Sequence, residues 1–302
     1  MKVTFIDLFS GLGGFRIGTE QAGHTCLGHC EIDKYANQTY QAIHNIKEDE
    51  WFAEDITRVR ADDIPACDCW CFGFPCQDIS SAGKQNGLSG KRSSLFFAVT
   101  RLIRDTEEEN RPAYLFIENV KNLLSVNRGF DFLSILTELD EIGYDAEWSV
   151  INSKYWVPQN RERIFIIGHF RRRSTRQVFP LWGKREVVKR HGIGTKEIKQ
   201  IGNIVESANF ENPQCGRVYD TSGISPTLNT VGGGGLEVKI LLNDKIRKLM
   251  PVEYWRLQGI SDERFNKAKA AGLSDRQLYR QAGNSVTVPV ISTIAEKMEV
   301  TT

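Results

Sequence analysis

Short apolar runs alternate with stretches of helical spacing over the first 170 residues of the chain. The apolar runs predict β-strands, and the stretches between them predict helices that cover a mostly parallel sheet. The predicted strands are residues 3–9, 25–30, 51–53, 67–72, 114–117, 146–152 and 163–169. The predicted helices are residues 15–22, 34–44, 94–105 and 130–142. The pattern indicates an α/β fold with a doubly wound sheet, in which ligands bind beyond the carboxyl ends of the strands.

The pattern changes after residue 170, where the chain becomes basic, glycine-rich and irregular. We expect a large domain over residues 1–170, a smaller irregular domain over residues 171–282, and a C-terminal helix over residues 283–302 that returns to the large domain. The 302 residues, of which 40% are hydrophobic, suffice for a core of this size. No apolar run reaches the length of a membrane span and no signal peptide precedes the first strand, so we expect a soluble cytoplasmic protein.

Charge and cysteine content add two further expectations. The net charge is only +1, but residues 171–190 hold eight Lys and Arg against one Glu, a net charge of +7. This window is typical of a polyanion-binding surface, and a solvated charged loop explains it about as well. The chain has seven cysteines, an odd number, and Cys67, Cys69 and Cys71 alternate along one predicted strand and share one face. Disulfides and a zinc site are both disfavoured, and we expect no metal.

The first predicted strand runs into a glycine-rich turn, DLFSGLGGF (residues 7–15), which opens a helix. Its G-x-G-G spacing differs from the dinucleotide-binding G-x-G-x-x-G. Glu31 ends the second strand, where a carboxylate can accept hydrogen bonds from both ribose hydroxyls, and Asp55 follows the third strand. Phe9 offers a ring to a nucleobase face. Together these residues predict a nucleoside pocket without phosphate ligands, which favours S-adenosylmethionine over NAD.

Cys76 follows Pro75 at the end of the apolar fourth strand, so a stiff turn directs its thiol to the ligand-binding edge of the sheet. A buried structural cysteine is the alternative for a Pro-Cys pair taken alone. The Gly- and Ser-rich residues 80–92 predict a lid beside this thiol, or a surface loop without a role. Glu118 ends the fifth strand at the same edge, as a cleft carboxylate or as a helix cap. Arg163 begins the last strand and can present paired donors to an oxygen acceptor.

Six motifs together resemble those of the DNA (cytosine-5) methyltransferases of the bacterial restriction-modification or phage type. They occur in the order known for that family and span nearly the whole chain. They are DLFSGLGGF (7–15), GFPCQ (73–77), ENV (118–120), QNRER (159–163), RVYDTSGISPTL (217–228) and QAGNSV (281–286). The resemblance implies the fold of the S-adenosylmethionine-dependent methyltransferases with a second, smaller DNA-recognition domain.

The resemblance also implies a reaction. Cys76 adds to carbon 6 of a cytosine flipped out of double-stranded DNA, Glu118 acts as the acid at N3, and Arg163 holds the base oxygen O2. The residues implied to bind the cofactor are Phe9, Gly11, Gly13, Glu31, Ile32, Asp55, Pro75, Leu95, Asn284 and Ser285. Those implied to contact DNA are Ser80, Lys84, Arg92, Arg161, Thr227 and Gly233.

Several alternatives stay open at the level of sequence. About 50 residues separate Arg163 from Arg217, fewer than many members of the family use to read bases, so target specificity is not predicted. A tRNA cytosine methyltransferase and a catalytically inactive nucleic-acid-binding protein are the rival functions. A cysteine protease is disfavoured, because none of the five histidines lies in the motifs. We expect a monomer, and a cognate restriction endonuclease as a genetic partner is left open.

Overall fold

A seven-stranded sheet forms the centre of the protein. The computed structural model describes residues 2–74, 94–181, 196–206, 211–233 and 235–300. The strands of this sheet are β1 (Thr4–Leu8), β2 (Thr25–Cys30), β3 (Trp51–Ala53), β4 (Cys69–Gly73), β5 (Tyr114–Val120), β6 (Tyr144–Asn152) and β7 (Glu162–Phe170). Their order is β3-β2-β1-β4-β5-β7-β6, and only β7 runs antiparallel to its neighbours. The predicted α/β fold with a mostly parallel sheet is therefore confirmed.

Helices cover both faces of this sheet, which is why its central strands are apolar on both sides. Four helices follow the first strands: α1 (Gly14–Gln21), α2 (Lys34–Ile43), α3 (Ser94–Asp105) and α4 (Phe130–Glu141). In β1, Ile6 and Leu8 pack into a core cluster with α3 and α4, whereas Phe5 packs into a second cluster on the opposite face. The predicted helices agree with these bounds to within one or two residues.

The cysteines of the fourth strand do not all share a face. Cys69 and Cys71 lie in the second cluster, with their sulfur atoms 3.7 Å apart. Cys67 precedes β4 and packs in the first cluster instead, so the alternation expected for all three holds only where the chain is a strand. All six cysteines within the described residues are free thiols.

A small four-stranded sheet follows in the second half of the chain. Its strands are β8 (Gln200–Asn203), β9 (Arg217–Asp220), β10 (Lys239–Leu242) and β11 (Lys245–Lys248), in the order β11-β10-β9-β8. A tight turn joins β10 to β11, with both Asn243 and Asp244 at positive φ. These residue types tolerate the left-handed conformation better than most, which is why the hairpin closes here.

Four helices complete the described part of the fold: α5 (Pro251–Leu257), α6 (Asp262–Ala270), α7 (Asp275–Asn284) and α8 (Val288–Ala295). Helix α8 packs on α1 so closely that a Cβ atom on Gly18 would lie 2.6 Å from the Cβ of Ile291. Helix α8 therefore packs against a helix of the large sheet, and the division of the chain into three parts stays a prediction. A third core cluster joins Leu12 and Ile17 to the small sheet and to α5–α7. No helix within the described ranges is both long and apolar enough to cross a membrane.

Candidate active site

The glycine-rich turn after β1 contains three residues in the left-handed backbone conformation. Phe9 has φ 54°, Gly11 has φ 56° and Gly13 has φ 90°. A Cβ atom on Gly13 would lie 2.2 Å from Nε2 of His44, so a side chain does not fit at this position. Gly13 is the N-cap of α1 and has no capping side chain. The turn thus brings main-chain amide groups to the carboxyl edge of β1, as the sequence predicted.

Glu31 binds directly to this turn. Its Oε2 accepts a hydrogen bond from the amide of Gly11 at 2.8 Å, and its Oε1 accepts one from the amide of Asp33 at 2.7 Å. Burial raises the pKa of Glu31, while these two amide donors act in the opposite direction. The next residue, Ile32, is 73% exposed, although it is a large aliphatic side chain. An acceptor carboxylate and an open apolar surface therefore lie side by side at the edge of the sheet.

Asp55 lies beyond the end of β3 and caps a short 3-10 turn. Its Oδ1 accepts hydrogen bonds from the amide of Thr57 at 3.0 Å and from the Thr57 hydroxyl at 2.7 Å. The hydrogen bond from that hydroxyl is the main cause of a lowered pKa, so Asp55 is an ionised acceptor. Leu95, near the start of α3, packs against the first core cluster together with Phe9.

The C-terminal motif reaches the same region. Asn284 ends α7 and is exposed, whereas Ser285 is buried. A Cβ atom on Gly14 would lie 2.7 Å from Oγ of Ser285, which shows how closely this segment approaches the glycine-rich turn. The structure therefore brings the turn, Glu31 and Ser285 together. Pro75, the remaining predicted cofactor residue, lies outside the described residues.

Glu118 and Arg163 form a largely buried ion pair at the carboxyl edge of β5. Nε of Arg163 lies 3.1 Å from Oε1 of Glu118, and the two side chains are only 16% and 13% exposed. Arg163 pairs with Val120 in the antiparallel register of β5 and β7, and Val120 lies two residues after Glu118 on the same face of the strand. The side chains of Glu118 and Arg163 are therefore diagonal neighbours. Burial raises the pKa of Glu118, although the positive charges of Arg163 and Arg161 act to lower it. A carboxyl group that retains its proton above the usual range suits a general acid.

The end of β4 leads from this carboxyl group toward Cys76. Gly73 pairs with Glu118, and a Cβ atom on Gly73 would lie 3.2 Å from Oε2 of Glu118. Nδ2 of Asn119 donates a hydrogen bond to the carbonyl of Phe74 at 3.3 Å, and Asn119 is only 1% exposed. Asn119 was not predicted to be functional, although a polar amide side chain inside an apolar strand is a usable signal. Cys76, Ser80, Lys84 and Arg92 lie outside the described residues.

Comparison with known proteins decides the family. The sequence matches the family described as C-5 cytosine-specific DNA methylase over residues 3–232 and 182–300. The chain belongs to this family. It is 34% identical over 316 residues to the type II methyltransferase M.HhaI of Haemophilus parahaemolyticus, an alignment that covers 96% of this chain and 92% of the relative. It is 35% identical over 325 residues to the type II methyltransferase M1.ScrFI of Lactococcus lactis subsp. cremoris, which covers 98% of this chain and 78% of the relative.

Solved structures of methyltransferases share the fold. The Dnmt2 methyltransferase of S. pombe has a TM-score of 0.71 and 17% identity, over 97% of this chain and 96% of its own. The methyltransferase EhMeth of Entamoeba histolytica has a TM-score of 0.71 and 20% identity, over 98% of each chain. The resemblance drawn from the six motifs is thereby confirmed, and the chain is a DNA cytosine-5 methyltransferase.

Two of the DNA contacts expected for this C-5 methylase lie in unexpected surroundings. Arg161 is 3% exposed and donates hydrogen bonds to main-chain carbonyls, so its guanidinium faces the protein interior. The hydroxyl of Thr227 donates to the carbonyl of Asn160 at 2.6 Å. Gly233, by contrast, is exposed with φ 126°, and a Cβ atom there would meet nothing within 4 Å.

The described residues of this C-5 methylase include no group of three or more His, Cys, Asp or Glu side chains that could hold a metal ion.

Proposed function

We propose that this protein transfers a methyl group from S-adenosylmethionine to carbon 5 of a cytosine flipped out of double-stranded DNA, at a specific short sequence, through a covalent adduct on Cys76. The observation that carries the proposal is the largely buried ion pair of Glu118 and Arg163 beside the end of the strand that leads to Cys76. The membership of the chain in the C-5 methylase family supports the same reaction.

The pair matches the electronic demand of the reaction. Carbon 5 of cytosine becomes nucleophilic only after a thiolate adds to carbon 6. The π electrons of the bond between carbon 5 and carbon 6 are then shared between carbon 5 and N3. Glu118 supplies a proton to N3, and Arg163 donates a hydrogen bond to O2. After methyl transfer, a base removes the carbon 5 proton, the bond between carbon 6 and sulfur breaks, and the N3 proton returns to Glu118. These changes restore the neutral aromatic ring and the thiolate.

The residues around the glycine-rich turn fit an adenosine-bearing cofactor. Glu31 would accept from the ribose hydroxyls, Asp55 would accept from the adenine amino group, and Phe9 and Ile32 would contact the adenine faces. The exposed aliphatic side chain of Ile32 supports this assignment, because a bound apolar ring would cover it. When bound, S-adenosylmethionine supplies an electrophilic methyl group. Gly11, Gly13, Leu95, Asn284 and Ser285 would complete the walls.

The three parts of the chain divide the work in this proposal. Residues 1–170 carry catalysis and cofactor binding, residues 171–282 contact DNA, and residues 283–302 return to the large domain. Ser80, Lys84, Arg92, Thr227 and Gly233 remain proposed DNA contacts, whereas we assign Arg161 an interior role. DNA affinity should fall as salt rises, because cationic side chains that neutralise phosphates release counterions. Within the basic window 171–190, Arg171, Arg172, Arg173 and Arg176 each already pair with a carboxylate of the protein, which reduces their share of this effect.

The decisive experiment uses the nucleophile and a mechanism-based substrate. Cys76→Ser should abolish transfer of tritiated methyl to duplex DNA while S-adenosylmethionine still binds. DNA with 5-fluorocytosine should trap the wild-type protein covalently, because fluorine does not leave as a proton does, and it should not trap the variant. Transfer to tRNA alone, or full activity of Cys76→Ser, would contradict the proposal. Bisulfite sequencing of the methylated DNA would then give the target sequence.

A further inference from the structure

A buried cluster of polar side chains lies where the large domain, the segment after β9 and the C-terminal helices meet. We call it the junction cluster and define it as Ser153, Gln159, Arg161, Gln258 and Thr287. Each is at most 4% exposed. Polar side chains are stable at such burial only when they are hydrogen-bonded, so the partners of this cluster show which segments it holds together.

Gln159 connects the approach to β7 with two other parts of the chain. Its Nε2 donates to the carbonyl of Leu257 at 2.8 Å, and its Oε1 accepts from the amide of Leu228 at 3.2 Å. Gln258 continues the connection, because its Nε2 donates to the carbonyl of Ala282 at 2.7 Å and its Oε1 accepts from the hydroxyl of Thr287 at 3.0 Å. The position of α7 relative to β7 is therefore fixed by directional contacts.

Arg161 makes the contacts closest to the proposed cofactor site. Its guanidinium donates to the carbonyls of Gly283 at 3.2 Å and Ser285 at 2.8 Å, and to that of Leu228 at 3.4 Å. The first two carbonyls flank Asn284, whose side chain is exposed. Hydrogen bonds from a charged donor are stronger than neutral ones, so Arg161 holds this turn of the chain from both sides.

Close packing passes this constraint on to the glycine-rich turn. Oγ of Ser285 would lie 2.7 Å from a Cβ atom on Gly14, and a Cβ atom on Gly283 would lie 2.3 Å from the carbonyl oxygen of Asn229. Neither glycine can gain a side chain without a shift of its neighbours. A displacement of residues 283–285 would therefore move the wall of the cofactor site.

Arg161 also acts on the catalytic edge. The charged groups that lower the pKa of Glu118 against burial are Arg163, which forms the ion pair, and Arg161. One side chain thus has two separate effects: a geometric effect on residues 283–285 and an electrostatic effect on the proposed acid.

We propose that Arg161 is a positioning residue that holds the Asn284 turn against the cofactor site and keeps a second positive charge near Glu118. This inference rests on the proposed function, and it gives Arg161 a role other than the DNA contact that the sequence suggested. The two effects are separable, because charge and hydrogen-bond geometry can be removed independently.

Steady-state kinetics of Arg161→Met and Arg161→Lys tests the proposal. The Met variant loses both effects, so its KM for S-adenosylmethionine should rise about tenfold or more. Its rate should also descend at a higher pH than that of wild type, because one of the positive charges that lower the pKa of Glu118 is gone. The Lys variant keeps the charge without the planar fork of donors, so its rate should descend at the wild-type pH while KM stays raised. Arg101→Met serves as the matched control, since Arg101 is an exposed α3 side chain paired with Asp105.

Gly283→Ala gives an independent measurement if Arg161→Met does not fold. It displaces the Asn284 turn and leaves the Arg161 charge in place, so it should raise KM about as much as Arg161→Lys does and leave the pH dependence of the rate as in wild type. Folded Arg161 variants with wild-type KM and wild-type pH dependence would overturn the proposal, as would equal shifts of the pH dependence in the Lys and Met variants. A wild-type protein that transfers no methyl group would instead refute the proposed function itself.

Discussion

Replacing Glu118 with Gln tests the proposed acid with the least structural change. Gln has nearly the same shape, and its amide oxygen can still accept the hydrogen bond from Arg163 that now spans 3.1 Å. The side chain should therefore keep its orientation and lose only the proton that it can transfer. General acids contribute about 10²–10⁴-fold to rate, which corresponds to about 3–5 kcal/mol of barrier. We expect kcat for methyl transfer to duplex DNA to fall by that factor.

The pH dependence provides a second, sharper signature. Because burial raises the pKa of Glu118, the wild-type enzyme should hold the catalytic proton at low pH and lose rate as pH rises through that raised pKa. The Gln variant has no proton to lose, so this descending limb should be absent from its profile. The measurement is single-turnover transfer of tritiated methyl across the pH range, with cofactor and DNA saturating.

A second Glu–Arg pair, in which the carboxyl group is buried and the guanidinium is exposed, serves as the control. Glu138 on α4 receives hydrogen bonds from both terminal nitrogens of Arg104, at 2.6 and 2.8 Å, away from the carboxyl edge of the sheet. Glu138→Gln should reduce the free energy of unfolding by about 1–3 kcal/mol and leave kcat unchanged. A Glu118→Gln enzyme with kcat within threefold of wild type would refute the assignment of Glu118 as the acid.

Three further predictions concern the stability of the scaffold. Arg16 pairs with Glu50, with both side chains under 5% exposed, so Arg16→Met should lower the free energy of unfolding in urea by about 3–5 kcal/mol; a loss below 1 kcal/mol would contradict this. Burial lowers the pKa of His44 to about 3. Between that pH and about pH 6.5 only the unfolded chain binds this proton, so the free energy of unfolding should decrease as the pH is lowered from 6 to 4, by up to about 1.4 kcal/mol per pH unit. His44→Asn should lack that component, and parallel pH curves for the two proteins would contradict it. A Cβ atom on Gly28 would lie 2.2 Å from a main-chain oxygen of β3, so Gly28→Ala should cost about 1–3 kcal/mol, whereas Gly202→Ala, with nothing within 4 Å, should cost less than 1 kcal/mol in the same denaturation assay.

The strands and helices of the large domain were predictable because their burial leaves a strong periodic signal. Glu118 was also predictable, since it lies at the end of an apolar run and the carboxyl ends of parallel strands meet at one edge of the sheet. Arg163 begins its apolar run instead, and it reaches the same edge because β7 is antiparallel to β5. The interior position of Arg161 was not predictable in the same way. Arginine is usually exposed, and the three carbonyls that it contacts lie 67 to 124 residues away in the sequence.

The donor capacity of Thr227 illustrates a related limit. The sequence predicts a hydroxyl near the DNA, but the direction in which it donates depends on a main-chain carbonyl brought in from Asn160. Cys67 shows a similar limit at the start of a strand. It was predicted to share a face with Cys69 and Cys71, but β4 begins only at Cys69, and side chains alternate between faces only within the strand. Periodicity therefore predicts elements well, whereas contacts between distant segments require the assembled fold.

The reversed direction of β7 explains why catalysis and the small domain share one edge of the sheet. A parallel strand would present its carboxyl end at this edge, but β7 is antiparallel to β5 and so presents its first residues there, among them Arg163. The segment that precedes β7 must then lie at the same edge. It pairs with the segment after β9, because the amide of Asn160 donates to the carbonyl of Ser225 and the amide of Ser225 donates to the carbonyl of Pro158, both at 2.8 Å. A single strand reversal thus places the residue proposed to hold the base within three residues of the main-chain contacts that anchor the small domain, so a shift of either segment should be felt by the other.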